Sequence, residues 1–218
     1  WGKAIKYYKK DLEISRRLDD IHGMAQTYGN LGSVYARRDE LDKAIEYYKK
    51  SLEISKGLDD IHGMAQTYNN LGLVHARRDE LDKAIEYYKK SLEISERLGD
   101  IHGMAQTYNN LGLAYADRDE LDKAIEYYKK SLEISERLGD IHGMALTKHG
   151  IASVFRKRKK FNDALNLYFE SEKTLKKLGD KYNLMKVYYN LSLCYKDMNQ
   201  EEKANKNYQK YERLRKQL

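Results

Sequence analysis

The chain repeats itself with a period of 40 residues, and this periodicity limits the possible folds more than any other feature. Two of the repeats differ at three of 40 positions, and the repeat before them differs from its successor at six. A half unit, four full units and a divergent last unit make up the chain: 1–20, 21–60, 61–100, 101–140, 141–180 and 181–218. Such a unit buries its apolar face only against its neighbours. The sequence therefore predicts one stacked array over residues 1–218, a single domain.

Each unit is predicted to contain two helices. The first follows an aspartate such as Asp20, which can accept hydrogen bonds from the free N–H groups of a helix start. It runs to about Ala36, and the second helix runs from about Leu41 to Gly57. The second helix has a one-sided apolar stripe at Leu41, Ala44, Ile45, Tyr48 and Leu52. The chain contains no proline and is rich in charged residues, which favours helices. We expect an all-α fold of about eleven helices.

A spaced motif identifies the kind of repeat. Tyr28-x2-Leu31-Gly32-x2-Tyr35, followed by Ala44-x3-Tyr48, resembles the tetratricopeptide signature, with Tyr in place of its opening Trp. The motif recurs from Tyr68 and Tyr108 and persists loosely in the last two units. The family's closing proline is absent, and the period is longer than the usual 34 residues. The chain is therefore similar to the long-repeat branch that includes kinesin light chains and Pins-type adaptors.

The resemblance implies a right-handed superhelical α-solenoid whose first helices line a concave groove. Inward-facing positions then carry over to residues that could bind a peptide: Gln26, Asn30, Arg37, Gln66, Asn69, Asn70, Leu73, Arg77, Gln106, Asn109, Asn110, Leu113, Asp117, His149, Arg156 and Asn190. Side-chain amides both donate and accept hydrogen bonds, so they can pair with the backbone of an extended ligand. A solvated polar wall is the alternative. The lysines with which chaperone adaptors of this family clamp a terminal carboxylate are replaced by Gly29, Asn69 and Asn109, which disfavours that function.

Positive charge is concentrated at one end of the chain. Residues 141–218 carry 18 basic and 8 acidic side chains, although the whole chain has a net charge of +7. The densest basic run consists of Arg156, Lys157, Arg158, Lys159 and Lys160, in a predicted turn. This run is either a solvated turn or a basic patch for an acidic peptide, nucleic acid or an anionic surface. No known nucleic-acid-binding module accompanies it, so we regard nucleic acid as an unfavoured partner.

Catalytic and metal-binding motifs are not evident. One histidine recurs in each unit: His22, His62, His102 and His142. Equivalent residues on stacked helices lie roughly 10 Å apart, too far to share one zinc ion. His75 replaces a core tyrosine, and we expect it to be packed. Cys194 is expected to be a small buried hydrophobic residue. We find no phosphate-binding loop and no nucleophile–base pair, so we expect no enzyme activity, no cofactor and no bound metal.

The sequence thus predicts a cytoplasmic protein–protein interaction scaffold that binds a protein or peptide. The alternatives are a self-assembling module, a homo-oligomer formed through the apolar face of the N-terminal half repeat (Ile5, Tyr8 and Leu12), and a nucleic-acid adaptor. No run of 18 apolar residues is present, so we expect no membrane span. The last helix, residues 201–217, is expected to cap the array with Tyr208, Tyr211 and Leu214 facing inward.

Overall fold

The computed structural model describes residues 1–217, and these residues form eleven α-helices and no strand. The helices are α1 (Gly2–Arg17), α2 (Ile21–Arg37), α3 (Leu41–Gly57), α4 (Ile61–Arg77), α5 (Leu81–Leu98), α6 (Ile101–Asp117), α7 (Leu121–Leu138), α8 (Ile141–Lys157), α9 (Phe161–Leu178), α10 (Lys181–Asp197) and α11 (Glu201–Arg215). The prediction of an all-α array of helix pairs is confirmed. None of these eleven helices is both long and apolar enough to cross a membrane.

The helices form two compact units, one from Trp1 to Asn110 and one from Leu111 onward. In the first unit α2 packs on α3, α4 packs on α5, and α1 and α3 join these pairs to their neighbours. In the second unit α8 packs on α9 and α10 on α11, with α7 against α8 and α9 against α10. The interpretation of residues 1–218 as a single domain stays a prediction.

The positions of the repeat motif are packing positions. Leu31 and Ala44 are completely buried in the core of the first unit, and Leu191 and Tyr168 are completely buried in that of the second. In the first three full units the glycine of the motif lies in close contact with a tyrosine ring. A Cβ atom on Gly72 would lie 2.6 Å from the ring of Tyr88, well inside van der Waals contact.

The helix ends follow from local side-chain chemistry. The Oδ1 atom of Asp20 accepts a hydrogen bond from the backbone N–H of Gly23 at 2.8 Å, and the first helices of the other units begin in the same way. Gly99 ends α5 with a left-handed backbone at φ 65°. In the first full unit the equivalent residue is Asp59, which adopts φ 52° without being glycine. Asp tolerates this conformation better than most residues do.

The last helix departs from the prediction in one respect. Tyr211 and Leu214 pack against the core of the second unit, but Tyr208 is 45% exposed, so its inward orientation was wrongly predicted. In the first three full units the equivalent tyrosine ring lies directly over a glycine. In the fourth unit Ala152 stands at that position and Tyr168 is still fully buried, and the last unit has Ser192 there. Tyr208 instead packs on Tyr211, with 5.4 Å between the ring centres.

Candidate peptide-binding faces of the two units

The first unit exposes a set of side-chain amides on its first helices. We call this set the amide face, and its members are Gln26, Asn30, Gln66, Asn70 and Gln106. Four of them are exposed, and Asn70 is half-buried. Within residues 1–217, none of the five side-chain amides makes a hydrogen bond. Amides without internal partners are free to pair with a ligand.

Two other predicted groove residues bind each other. The Asn110 Nδ2 atom donates to the Oδ1 atom of Asn69 at 2.9 Å, which links α6 to α4. Both side chains are half-buried, as is that of Asn109. The predicted ladder is therefore not uniform, because one of its steps is already hydrogen-bonded inside the protein.

A polar cavity of about 110 Å³ lies between α2 and α4. Gly29 is one of its lining residues and stands at the position that Asn69 occupies in the next unit. Ser33, Asn70 and Asp60 contribute to its walls. From the sequence, Gly29 is predicted only to disfavour a carboxylate clamp, and the cavity beside it is not predicted.

The arginines of the predicted groove connect one unit to the next. Arg77 donates to the carbonyl oxygen of Ala36 at 2.6 Å and to Asp39 at 2.8 Å. The guanidinium of Arg37 lies over the ring of Trp1, 5.6 Å from its centre. This role was not predicted from the sequence, although Arg77 and Asp39 each stand at a position that recurs with the 40-residue period.

The equivalent face of the second unit has a different character. Asn190 Nδ2 lies 2.7 Å from His149 Nε2, and it lies 3.4 Å from the hydroxyl of Ser153. Burial, assisted by the nearby Lys186 charge, lowers the pKa of His149 to about 4. The imidazole is therefore neutral at physiological pH, and its Nε2 atom can accept the hydrogen bond from Asn190. On the same face Leu113 and Asp117 are exposed.

Part of the basic run is paired with carboxylates of the second unit. Arg156 forms an ion pair with Asp197 at 2.8 Å. Lys157 donates to the carbonyl oxygen of Ala116 at 2.5 Å, and Arg158 forms an ion pair with Asp122. Lys159 and Lys160 are exposed. The solvated turn thus gains support, and binding by a basic patch stays a prediction.

The recurring histidines are exposed side chains, and His142 binds Asp180 at 2.8 Å. Among residues 1–217, no three His, Cys, Asp or Glu side chains are grouped so that they could hold a metal ion. His75 is packed, as expected. Its ring stacks on Tyr87 at 5.2 Å between the ring centres, and its Nδ1 atom lies 2.7 Å from Glu80.

The carboxylate of Glu80 also accepts a hydrogen bond from Lys83. This bond and the one to His75 lower the pKa of Glu80 to about 2. Cys194 is fully buried, as expected, and burial raises the pKa of its thiol to about 11. The thiol is therefore protonated at neutral pH and unsuited to nucleophilic attack.

The fold and the paired helices define an α-helical repeat protein of the interaction-scaffold class. A tetratricopeptide repeat model matches residues 1–57 and 63–137, and a second one matches residues 186–218. The chain belongs to the tetratricopeptide repeat family. In a comparison with curated protein sequences, nothing matches the chain.

Solved structures share the fold at low sequence identity. BtubC (BKLC) from P. vanneervenii is 21% identical, with a TM-score of 0.78 over 98% of this chain and 90% of that one. Aspartyl phosphate phosphatase F from Bacillus subtilis is 17% identical, with a TM-score of 0.80 over 97% of this chain and 54% of its own. A kinesin light chain-like protein of Podosopora anserina with nearly identical TPR-like repeats is 14% identical, with a TM-score of 0.64 over 87% and 94% of the two chains. These likenesses agree with the family membership.

Proposed function

We propose that the protein is a non-catalytic scaffold that binds an extended segment of another polypeptide along the amide face of its first unit. The observation that carries this proposal is the hydrogen-bonding state of the five amides of that face. They line the first helices of three successive units and have no partner within residues 1–217. Asparagine in the middle of a helix has no propensity advantage over better helix formers. A ligand that pairs with these amides gives them a use.

An extended peptide suits this face because its backbone offers one donor and one acceptor per residue. Asn70 is half-buried, so the loss of its ligand hydrogen bond would leave a partly desolvated amide unpaired. Such a loss costs about 1–3 kcal/mol. A partner bound through Asn70 should therefore be sensitive to substitutions at this position.

The test is a selection of peptides from a random dodecapeptide library displayed on phage, with the full chain as bait. Fluorescence anisotropy then compares the selected peptides on the wild type and on the double variant Gln66→Ala, Asn70→Ala, which removes two members of the amide face. We expect affinity to fall about tenfold or more, since 1.4 kcal/mol corresponds to a factor of ten. The helical circular dichroism signal should be unchanged.

The matched control is the double variant Lys49→Ala, Glu53→Ala, which removes two exposed polar side chains from the second helix α3. It should bind the selected peptides as the wild type does. Equal losses in the two variants, or peptides that cross-link only to second helices, would show that the amide face is not the binding surface.

Self-association is a second candidate, but not through the apolar face predicted for it, because Ile5 and Leu12 are buried and Tyr8 is half-buried against the core. The exposed apolar side chains lie elsewhere on α1 and at its two ends. Tyr7 is 66% exposed and Leu18 is 72% exposed, and Trp1 and Ile14 are also exposed. Within residues 1–217, α1 packs on α2 alone. Sedimentation equilibrium across a range of protein concentrations tests this candidate. A mass that rises with concentration in the wild type, and not in Tyr7→Glu, would support it, whereas a constant monomer mass would reject it.

A further inference from the structure

The first two full units differ at six positions, and two of these changes fall together at one place on the amide face. Gly29 replaces the Asn69 of the next unit, and Ser33 replaces Leu73. The two positions lie one helical turn apart, so they share a face of α2. Both changes shorten the side chain, and both residues line the 110 Å³ cavity between α2 and α4. Both substitutions therefore remove side-chain volume from the wall of this cavity.

Packing does not require glycine at position 29. A Cβ atom there would meet only the hydroxyl of Ser51, at 3.5 Å, which is an ordinary contact. At Gly32, one turn away, a Cβ atom would lie 2.7 Å from the ring of Tyr48. Glycine inside a helix costs about 1 kcal/mol relative to alanine. The structural consequence of Gly29 is therefore the open space beside Asn70.

At two equivalent positions in the same chain, a side chain occupies the space that is open at Gly29. In the first unit, the amide of Asn110 donates to the side-chain oxygen of Asn69 at 2.9 Å. In the second unit, Asn190 meets the ring nitrogen of His149 at 2.7 Å. Each filled version places a neutral acceptor against the asparagine. Asn70 is the equivalent asparagine, and its acceptor would belong to residue 29, which is glycine.

The resemblance extends to the neighbouring serine. Ser33 donates to the carbonyl oxygen of Gly29 at 3.1 Å and lies 3.0 Å from the hydroxyl of Tyr48. In the second unit Ser153 makes the corresponding bonds to His149 and Tyr168. The local hydrogen-bond frame is thus the same in both units. The difference is the side chain at the equivalent position, which is the imidazole of His149 in the second unit and is absent at Gly29 in the first.

We propose that the cavity at Gly29 receives the side-chain carboxamide of an asparagine or glutamine from the peptide bound on the amide face. This proposal rests on the proposed function. The carboxamide oxygen would take the acceptor position opposite Asn70 that Asn69 and His149 fill elsewhere in the chain. Its NH2 group would face the side-chain oxygen of Gln66, which lies one turn before Asn70 on α4 and also lines the cavity. An aspartate or glutamate of the ligand could accept from Asn70 but has no hydrogen to donate to Gln66.

The cavity is large enough for such a group. One water molecule occupies about 30 Å³ of liquid, so about 110 Å³ exceeds what a single bridging water would fill. A backbone amide carries the same chemistry, but it is flanked on both sides by the rest of its chain. A recess between two helices suits the end of a side chain better.

The experiment compares the wild type with Gly29→Asn in the same dodecapeptide selection. The substitution supplies the missing side chain from the protein itself, so that the introduced amide would pair with Asn70 as Asn69 pairs with Asn110. We expect wild-type peptides to share an asparagine or glutamine at one fixed position. Their affinity for Gly29→Asn should fall about tenfold. Replacement of that ligand residue by leucine, which offers no acceptor to Asn70, should weaken binding to the wild type similarly.

The control is the double variant Asn69→Gly, Leu73→Ser, which repeats the two shortenings in the next unit and leaves Asn110 without its partner. It should select peptides with a second carboxamide position. Peptides that bind the wild type and Gly29→Asn equally, or that lack a fixed carboxamide, would refute the cavity assignment while the proposed function stands. Affinity lost on backbone N-methylation alone would assign the cavity to a main-chain amide and refute the side-chain proposal. If no peptide is selected by any variant, the proposed function fails and this inference fails with it.

Discussion

Alanine substitutions at two glycines in equivalent helices should have opposite effects on stability. Gly72 in α4 lies directly under the ring of Tyr88, and a Cβ atom there would be 2.6 Å from two ring carbons. The optimal separation of carbon atoms is about 3.5–4.0 Å. Tyr88 is only 2% exposed, so its ring cannot turn toward solvent to make room. The helices α4 and α5 must therefore move apart or the ring must leave its rotamer.

The size of the effect follows from two opposing contributions. Overpacking a core by one carbon costs about 1–3 kcal/mol. Replacing a helical glycine by alanine stabilises by about 1 kcal/mol. Because the ring is fixed, we place the overpacking near the upper end of its range and expect Gly72→Ala to lose about 1–2 kcal/mol. Gly72→Leu should lose more than about 3 kcal/mol, beyond the usual range of point changes.

Gly29→Ala is the matched control, because it makes the same change in the preceding first helix where a Cβ atom meets only Ser51 at 3.5 Å. It should stabilise by about 0.5–1 kcal/mol. Urea denaturation followed by circular dichroism measures both variants, and hydrogen exchange should show the loss in Gly72→Ala concentrated in α4 and α5. If Gly72→Ala stabilised the protein as much as Gly29→Ala, the close approach of Gly72 to Tyr88 would be refuted.

Three further predictions concern other parts of the two units. The folded state holds His149 neutral down to a pKa of about 4, whereas an unfolded histidine becomes charged below about 6.5. Lowering the pH from about 6.5 to 4 should therefore reduce the free energy of unfolding of the wild type by up to roughly 3 kcal/mol. His149→Asn should not show this loss, and urea denaturation at several pH values measures it in both proteins. Deletion of residues 199–218 should cause aggregation or partial unfolding, because it uncovers the core on which α11 packs; a soluble, fully helical monomer in analytical ultracentrifugation would contradict this. Arg77→Met should reduce the free energy of unfolding by about 1 kcal/mol in urea denaturation, because it removes the hydrogen bonds to Ala36 and Asp39. Arg37→Met removes only the contact with the ring of Trp1 and should therefore reduce it less.

The fold could be predicted because the same local sequence signals recur in several units. Asp60 begins a helix, Gly99 ends one, and the pairing of Gly72 with Tyr88 fixes how two helices approach. Each of these signals is local, so a single unit is enough to interpret it. The packed state of His75 and Cys194 could be predicted in the same way, from their positions on apolar helix faces.

The state of the candidate site could be predicted only in part. The sequence showed which residues lie on the first-helix faces, but it did not show that Asn110 uses Asn69 or that Arg77 reaches the carbonyl oxygen of Ala36. These contacts join residues about 40 positions apart, and they depend on the spacing of helices that are not adjacent in the chain. The orientation of Tyr208 was missed for a related reason, since the exposure of a side chain depends on which helices pack beside it.

Because the units are nearly identical, the effect of each sequence difference between them can be compared within one chain. Where Asn69 and Asn110 are both present, they bind each other; where residue 29 is glycine, its counterpart Asn70 is left without a partner and a cavity opens. Where His149 stands at the same position, the place is filled again by a neutral acceptor. Packing requires the glycine at Gly72 but not the one at Gly29. Packing therefore accounts for shared positions such as Gly72, and we propose that the differences between units are where the protein distinguishes one ligand from another.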